Sequence, residues 1–207
     1  EIQVPDEKRD IARARLKEKG FNDGDVWVSI NPFSRWSHKE IGQEKWVEVV
    51  NWLWSEYGMK SILIGSPGER EKAEKIKNET GRHCLNLAGE TSLGDLPALL
   101  SLSKLHIGVD SAGPHIAAAV GTPVVDLYAL TNPQHTPWAV PTRVLSHDVP
   151  CKWCYKSVCP EGHNNCLTLV TPGSVVRAVV ELHEETAARP ARRTRQSTER
   201  ERQPSAG

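Results

Sequence analysis

Short apolar runs alternate with amphipathic segments through most of this chain, and that alternation limits the folds it can adopt. The runs are typical of strands buried on both faces, and the segments between them repeat apolar residues at helical spacing. Strand, helix and strand in succession predict a parallel sheet flanked by helices with right-handed connections, a Rossmann-like α/β fold. The predicted strands are 26–30, 61–64, 84–87, 105–109, 123–128 and 143–145, and the helices between them are 43–57, 69–80, 93–103 and 113–120.

Composition restricts the classes of function. Of 207 residues, 38% are hydrophobic and 25% are charged, the balance of a globular domain. The formal net charge is zero, so nothing favours nucleic acid as a partner. The sequence contains neither an apolar run of the roughly 18–20 residues that span a bilayer nor a secretory signal. The chain begins with Glu1 rather than Met, so we keep open whether it is a fragment or a processed product.

Further segments flank or interrupt the predicted sheet. A helix is expected to begin near Asp6 and end at Gly20, and Thr171-Pro172 marks the start of a last helix. The end of the chain is rich in Arg, Ser, Thr and Pro, which predicts a disordered, solvated tail in preference to one that contacts anionic lipid or nucleic acid. The expected divisions are an entry segment at 1–25, a Rossmann-like domain at 26–186 with a cysteine-rich loop at 150–166 and the last helix at 172–186, and the tail at 187–207.

Ligands of open parallel sheets bind at the carboxyl ends of the strands. The most informative of the loops there is 110–115, where Asp110 and Ser111 end a strand and Gly113-Pro114 begins an Ala-rich helix. A helix start offers free N–H groups and a positive dipole end, which favour an anion such as a diphosphate. The alternative is that Asp110 and Ser111 only cap the helix. The other polar loops at predicted strand ends are 31–39, 65–69, 88–91 and 129–133.

Two of these loops add charged candidates. Arg35 and Lys39 follow the first strand and suit a phosphate, unless the loop is simply solvated. Glu69 follows the second strand, where a carboxylate suits a ribose diol or, alternatively, the positive end of a helix dipole. The sequence carries no G-x-G-x-x-G and no P-loop lysine motif, which disfavours an ordinary dinucleotide or ATPase site.

Four cysteines, Cys151, Cys154, Cys159 and Cys166, lie within sixteen residues, with His163 among them. Without a secretory signal, such a cluster favours metal binding or reduced thiols over disulfides. Four thiolates suit structural Zn or Fe in tetrahedral coordination. The spacing is more compact than in a typical zinc ribbon, so a structural metal and free or paired thiols both stay open.

Residues 26–180 resemble the C-terminal half of glycosyltransferase family 9, the ADP-heptose:lipopolysaccharide heptosyltransferases. The segment from Asp110-Ser111-Ala112-Gly113-Pro114-His115 to Gly121-Thr122-Pro123 is similar to a family signature of Asp-Ser/Thr-Gly, a His, an Ala-rich turn and Gly-Thr-Pro. Residues 31–39, 65–69 and 87–93, and the block that ends at Cys166-Leu167, are also similar to family segments.

The resemblance implies a GT-B architecture, in which two Rossmann-like domains face each other across a cleft and this chain is the donor-binding half. Residues 1–25 would then be the interdomain segment. The implied reaction is an inverting, metal-independent transfer of heptose from ADP-heptose to the lipopolysaccharide inner core. It is expected in the cytoplasm, with peripheral attachment to the inner membrane left open.

The general base and the acceptor site are expected in an N-terminal domain that this chain lacks. No catalytic residue is therefore expected here, and the isolated chain is expected to be inactive. The alternatives are another GT-B nucleotide-sugar enzyme, such as a UDP-sugar transferase or an epimerase, and a non-catalytic fragment that binds nucleotide sugar.

Carried over residue by residue, the resemblance assigns Lys39 and the N–H groups of 113–115 to the diphosphate, Asp110 and Ser111 to the donor sugar, and Glu69 to the nucleoside. An ADP-sugar donor is implied, and no cofactor for catalysis. Two segments depart from the family pattern, Lys39-Glu40-Ile41 and the loop 128–133, so no base or ribose contact is carried over to that loop. The expected donor-binding residues are Ser34, Lys39, Glu69, Asp110, Ser111, Ala112, Gly113 and His115.

Overall fold

The computed structural model describes residues 2–188 and contains one six-stranded sheet. The strands are β1 (Trp27–Asn31), β2 (Lys60–Leu63), β3 (Cys84–Asn86), β4 (His106–Val109), β5 (Val124–Leu127) and β6 (Thr142–Leu145). Their order is β3-β2-β1-β4-β5-β6, and every neighbouring pair is parallel. The Rossmann-like α/β prediction is confirmed. The order reverses between β1 and β4, the position at which such sheets bind ligands.

Seven α-helices accompany the described strands. They are α1 (Asp6–Glu18), α2 (Gln43–Tyr57), α3 (Arg70–Thr80), α4 (Leu96–Leu102), α5 (Ala112–Ala119), α6 (Asn165–Thr168) and α7 (Pro172–Ala187). Short 3-10 helices lie at Ser37–Lys39, Pro67–Glu69, Gly81–His83 and Pro133–His135. Of the predicted tail, residues 189–207 lie outside the described part of the chain.

The core has one layer on each face of the sheet. On one face α2 buries Trp46, Val49, Val50 and Leu53, whose helical spacing places them on one stripe, and α7 packs beside it. On the other face, α1, α4 and α5 form the second layer, with Leu100 and other apolar residues of these helices against the sheet. Both faces of the strands are therefore covered, as their continuous apolar sequence requires.

The segment expected to join two domains packs into this one. Leu16 and Phe21 are buried in the second layer, and α1 lies against α4. Lys8 forms an ion pair with Asp95 at the start of α4, with 2.5 Å between nitrogen and oxygen. Residues 2–21 thus add apolar area to the core of this domain.

Two local predictions differ from the structure. The fourth helix begins at Leu96 rather than at residue 93, because Ser92 Oγ donates to Asp95 Oδ2 (2.7 Å) and accepts from the Asp95 N–H, which makes a turn. The cysteine-rich loop ends in the short helix α6, which the sequence pattern did not predict. Among residues 2–188, none of the helices combines the length and apolar character needed to cross a bilayer.

Candidate functional site

The loops after β1, β4 and β5 meet at the carboxyl edge of the sheet, because these strands lie side by side and point the same way. Lys39 Nζ, from the first loop, lies 2.5 Å from Asp110 Oδ2, at the end of β4. The two side chains are 12% and 14% exposed, so this ion pair is largely removed from water. Two residues that the sequence singled out separately, 71 positions apart, therefore form one charged centre.

The Asp110 carboxylate has a further partner in the polar loop 129–133, where the sequence singled out no individual residue. Thr131 Oγ1 donates to Asp110 Oδ2 at 2.9 Å, and the Tyr128 hydroxyl lies 2.5 Å from Thr131 Oγ1. Both residues come from the end of β5 and the loop after it. Only the adjacency of β4 and β5 brings them to Asp110, so no local motif could have identified them.

The start of α5 is free of side-chain caps. Ser111 is the N-cap residue, but its side chain makes no cap hydrogen bond and instead accepts one from Asn31 Nδ2 at 3.0 Å. The Asp110 side chain is occupied by Lys39 and Thr131. Simple helix capping by either side chain is thus wrong, and the first N–H groups of α5 remain without a side-chain acceptor from the cap.

The glycine in this turn faces the sheet. A Cβ on Gly113 would lie 2.9 Å from His106 Nε2 and 3.1 Å from Asn31 Nδ2. Gly113 therefore allows α5 to approach the strands closely. Ala112 and His115, on either side, are exposed at the helix start.

The Lys39 loop is held from several directions. Ser34 Oγ donates to the Asp110 carbonyl at 3.5 Å, and Lys39 Nζ lies 4.7 Å from the centre of the Trp36 ring. Arg35, the second predicted cation, is exposed. The structure therefore brings Ser34 and Lys39 to the Asp110 centre but leaves Arg35 at the surface.

Beneath this centre lies an ionisable residue that the sequence analysis did not identify. Asp126, in β5, is 1% exposed, and neither carboxyl oxygen has a hydrogen-bond partner among the described residues. Burial raises the pKa of this carboxyl to about 8; the negative charge of Asp110 adds to the rise, and the Lys39 ammonium opposes it. The sequence does not show that an aspartate within an apolar strand is buried without a partner, because this depends on how the neighbouring strands and helices pack around it.

Glu69 is engaged in local structure. Its Oε2 accepts from the Ser66 N–H at 2.6 Å, in a capping box at the end of β2. In the next loop, Glu90 forms ion pairs with Arg15, Lys19 and Arg70. The carboxylates beside β2 and β3 thus have partners without a ligand, and the role assigned to Glu69 stays a prediction.

The cysteine loop brings its thiols near one another without forming a complete ligand set. Burial raises the pKa of Cys166, and the charges of Cys151, Cys159 and Cys154 raise it further. The pKa of Cys159, in contrast, is lowered. The N–H of Asn164 donates to Cys159 Sγ at 3.3 Å, and this bond is the largest cause of the lowered pKa. Burial opposes it, and backbone hydrogen bonds from residues 161–163 lower the pKa further. Within residues 2–188, no three His, Cys, Asp or Glu side chains are arranged to hold a metal ion, and the metal assignment stays a prediction.

This loop touches both of the loops that meet at Asp110. Asn164 Nδ2 donates to the carbonyl of His38, next to Lys39, at 2.6 Å. The N–H groups of Trp153 and Tyr155 donate to the carbonyls of Ala129 and Leu130, each at 2.9 Å, just before Thr131. The cysteine loop therefore supports the charged centre from behind.

Two cavities in the described part of the chain lie elsewhere. One of about 820 Å³ is beside the amino ends of β2 and β3, and one of about 580 Å³ lies between α2 and α7. Neither is lined by Lys39 or Asp110. The carboxyl edge is identified by the charged side chains and strand ends that meet there.

Comparison with known proteins shows which family the chain resembles. The sequence model of glycosyltransferase family 9 (heptosyltransferase) matches residues 2–165. Lipooligosaccharide heptosyltransferase 2 of Haemophilus ducreyi is 32% identical over 173 residues, which cover 79% of this chain and 47% of the relative. Lipopolysaccharide heptosyltransferase 2 of Escherichia coli K12 is 31% identical over 162 residues, covering 76% and 44%. The chain spans less than half the length of these two relatives.

A solved structure agrees with the fold. A family 9 glycosyltransferase from Veillonella parvula DSM 2008 superposes with a TM-score of 0.79 at 25% sequence identity. The superposition covers 89% of this chain and 53% of that one. As with the sequence relatives, the likeness extends over most of this chain and about half of the other protein.

Proposed function

Since the chain belongs to glycosyltransferase family 9 (heptosyltransferase), we propose that it is the donor-binding half of a GT-B enzyme that transfers heptose from ADP-heptose to the lipopolysaccharide inner core. The observation that carries the proposal is the shielded Lys39–Asp110 pair beside the uncapped start of α5. Together they offer one cation and several N–H donors to a diphosphate, and one carboxylate to sugar hydroxyls.

Donor binding exchanges partners within this centre. The diphosphate takes the Lys39 ammonium and the N–H groups at the start of α5, at residues 113–115. Asp110 then keeps the hydrogen bond from Thr131 and turns its other oxygen to the hydroxyls of the sugar, beside Ser111. The exchange replaces one charge-assisted contact by another, so the ammonium is not left unpaired.

Catalysis from this half is electrostatic. As the bond between the sugar and the diphosphate breaks, negative charge grows on the departing oxygen, and Lys39 with the N–H groups at the start of α5 stabilises it. No metal or other cofactor is needed for that role. The base that deprotonates the acceptor, and the acceptor site itself, belong to the other domain of the proposed enzyme. Its place of action is the cytoplasm, where the nucleotide sugar is supplied.

Glu69 is the proposed nucleoside contact. It follows β2, next to β1 in the sheet, so it lies along the carboxyl edge on the opposite side of β1 from Asp110. The Ser66 N–H now holds one oxygen of its carboxylate. A ribose diol would bind the other oxygen without breaking the capping box, which suits a carboxylate with two acceptors.

Calorimetric titration of the chain with ADP-heptose, ADP and a UDP-sugar tests the proposal. Lys39→Ala is expected to weaken binding of the ADP ligands about 100-fold, since it removes the cation of a shielded site, and Asp110→Ala is expected to weaken ADP-heptose more than ADP. Lys75→Ala, an exposed lysine on α3, is the matched control. Unchanged affinity in both site variants refutes the site, and tighter binding of the UDP-sugar points to a different GT-B donor.

We also propose that Cys151, Cys154, Cys159 and Cys166 hold a structural Zn or Fe ion. Three observations support it. The thiols are near enough for their charges to affect one another, backbone N–H groups favour the thiolate of Cys159, and Trp153, Tyr155 and Asn164 hold the loop in left-handed conformations that non-glycine residues rarely adopt. The ion would neutralise the thiolates and fix the loop that supports His38 and Leu130. Metal analysis of the purified chain tests this, and less than about 0.2 equivalents of Zn or Fe argues against the site.

A further inference from the structure

Asp126 is a buried ionisable residue near the carboxyl edge to which the proposed donor site gives no role. Its neighbours Val125 and Leu127 belong to the layer under α2 and α7, so Asp126 points to the opposite face, which α5 covers. In the sheet it lies between Gly108 of β4 and Val144 of β6. A carboxyl buried there without a hydrogen-bond partner is costly as an anion and much less costly when protonated.

The charged surroundings of Asp126 are few. Asp110 faces it from the end of β4, Lys39 from the loop after β1, and Tyr128 from its own strand. The only ionisable residue of α5, His115, is exposed. On the same face of β4, His106 is buried and neutral, because burial lowers its pKa to about 3. Among the described residues, one cation, Lys39, therefore faces both carboxyl groups, and it already forms the ion pair with Asp110.

We propose that Asp126 is a positioning residue of the donor site, which keeps its proton while the diphosphate is bound and so leaves the Lys39 ammonium to the phosphates. This inference rests on the proposed function. With Asp126 ionised, two carboxylates and a diphosphate would compete for one ammonium in a poorly solvated site. With Asp126 protonated, the ammonium faces Asp110 and the diphosphate alone, and Lys39 can move toward the phosphates without leaving a second buried anion behind.

A proton thereby becomes part of the binding equilibrium. Below the pKa of Asp126 the carboxyl already carries it, and the ligand binds without a change in protonation. Above that pKa the free protein must take up a proton when the ligand binds, so affinity falls as the pH rises. A residue that only filled space at this position would leave affinity independent of the pH in this range.

The test is calorimetric titration of the whole chain with ADP at pH 7 and pH 9, repeated at pH 9 in two buffers of different ionisation enthalpy. For the wild type, we expect about a tenfold loss of affinity from pH 7 to pH 9, with close to one proton taken up at pH 9. Asp126→Asn is expected to bind at pH 7 like the wild type and to lose both effects. Asp126→Ser is a second neutral variant, and Asp10→Asn, on the exposed face of α1, is the matched control.

The outcomes separate the two proposals. The same pH dependence and proton uptake in the wild type and in both Asp126 variants would overturn the positioning role and leave the donor site standing. A wild type that binds ADP with no pH dependence would do the same. Failure of the wild type to bind ADP at either pH would overturn the donor site and the role of Asp126 with it.

Discussion

The charged centre at the strand ends and the cysteine loop are both polar clusters, yet their groups are satisfied in different ways. Asp110 Oδ2 forms an ion pair with Lys39 Nζ at 2.5 Å and accepts a hydrogen bond from Thr131 Oγ1 at 2.9 Å. The thiols of the cysteine loop influence one another's pKa, but no three of them form a ligand set within the described residues. A ligand must therefore displace contacts within the charged centre in order to bind. In the cysteine loop, by contrast, the thiols must come together around an ion to form a ligand set.

The difference follows from what carries the side chains. Asp110 stands at the end of a strand whose neighbours on both sides are fixed by hydrogen-bonded registers. The cysteines stand on a loop with little regular structure, held by a few hydrogen bonds such as that from Asn164 to His38. Buried strands fix the position of a charged side chain before any ligand is present. A loop fixes its side chains only when its own hydrogen bonds and ligand contacts have formed.

The largest expected effect is on the free energy of unfolding and comes from Asp126, which is buried beneath the charged centre. The folded pKa of Asp126, about 8, lies above its ordinary value of 3.8, so the folded state binds the proton more tightly than the unfolded state. The contribution of the protonated Asp126 to the free energy of unfolding is fully present below pH 4 and is lost as the pH rises to 8. The stabilisation by Asp126→Asn over the wild type should grow from pH 5 to pH 9 by at most about 4 kcal/mol.

Urea denaturation at the two pH values measures this difference, with Asp10→Asn as the control. A constant difference between Asp126→Asn and the wild type would mean that Asp126 is solvated or paired in the folded protein. The contrast with the cysteine loop would then be sharper, because Asp126, like Lys39 and Asp110, would be satisfied without a ligand.

A smaller effect is expected where α5 rests on the sheet. A Cβ on Gly108 would lie 2.6 Å from Cγ and 3.0 Å from Cδ of Pro114, in a ring that cannot rotate away. Gly108→Ala should therefore destabilise the fold by about 2 kcal/mol and weaken ADP binding by displacing the start of α5. Gly94→Ala, for which the nearest atom would be a serine hydroxyl at 3.7 Å, is the matched control.

Chemical denaturation and ADP titration report the two consequences of Gly108→Ala separately. If stability falls and affinity does not, the helix start moves without affecting the ligand, and its N–H groups are not part of the site.

The smallest effect is expected from the cysteine loop on the donor site. Cys159→Ser should abolish metal retention and lower ADP affinity about threefold, or roughly 0.7 kcal/mol, because the loop supports His38 and Leu130 but carries no ligand contact. Cys84→Ala, in β3 and outside the loop, should change neither metal content nor affinity. An affinity loss as large as that of Lys39→Ala would make the loop part of the binding site.

Much of the fold could be predicted because the strands carry uninterrupted apolar runs. β1, β2, β4 and β5 lie within one or two residues of the predicted ranges, and α2 matches its prediction at both ends. The start of α4 was missed because a side-chain turn between Ser92 and Asp95 replaces the first helical turn. Local hydrogen bonds of this kind do not alter the hydrophobic pattern.

At the site, the sequence indicated Lys39 and Asp110 through their positions after strands, and the structure brings them into contact. It could not indicate Thr131, Tyr128 or Asp126, because their importance depends on β5 lying next to β4. Whether a polar residue near a strand end is buried, paired or free is decided by the neighbouring strand, and one sequence does not specify that neighbour.

The most direct test of the donor site is a crystal structure of this chain with ADP bound. We expect oxygens of the diphosphate within hydrogen-bond distance of Lys39 Nζ and of the N–H groups at the start of α5, and Lys39 displaced from Asp110 Oδ2. ADP bound elsewhere, for example in the cavity beside the amino ends of β2 and β3, with the Lys39–Asp110 pair intact, would contradict it.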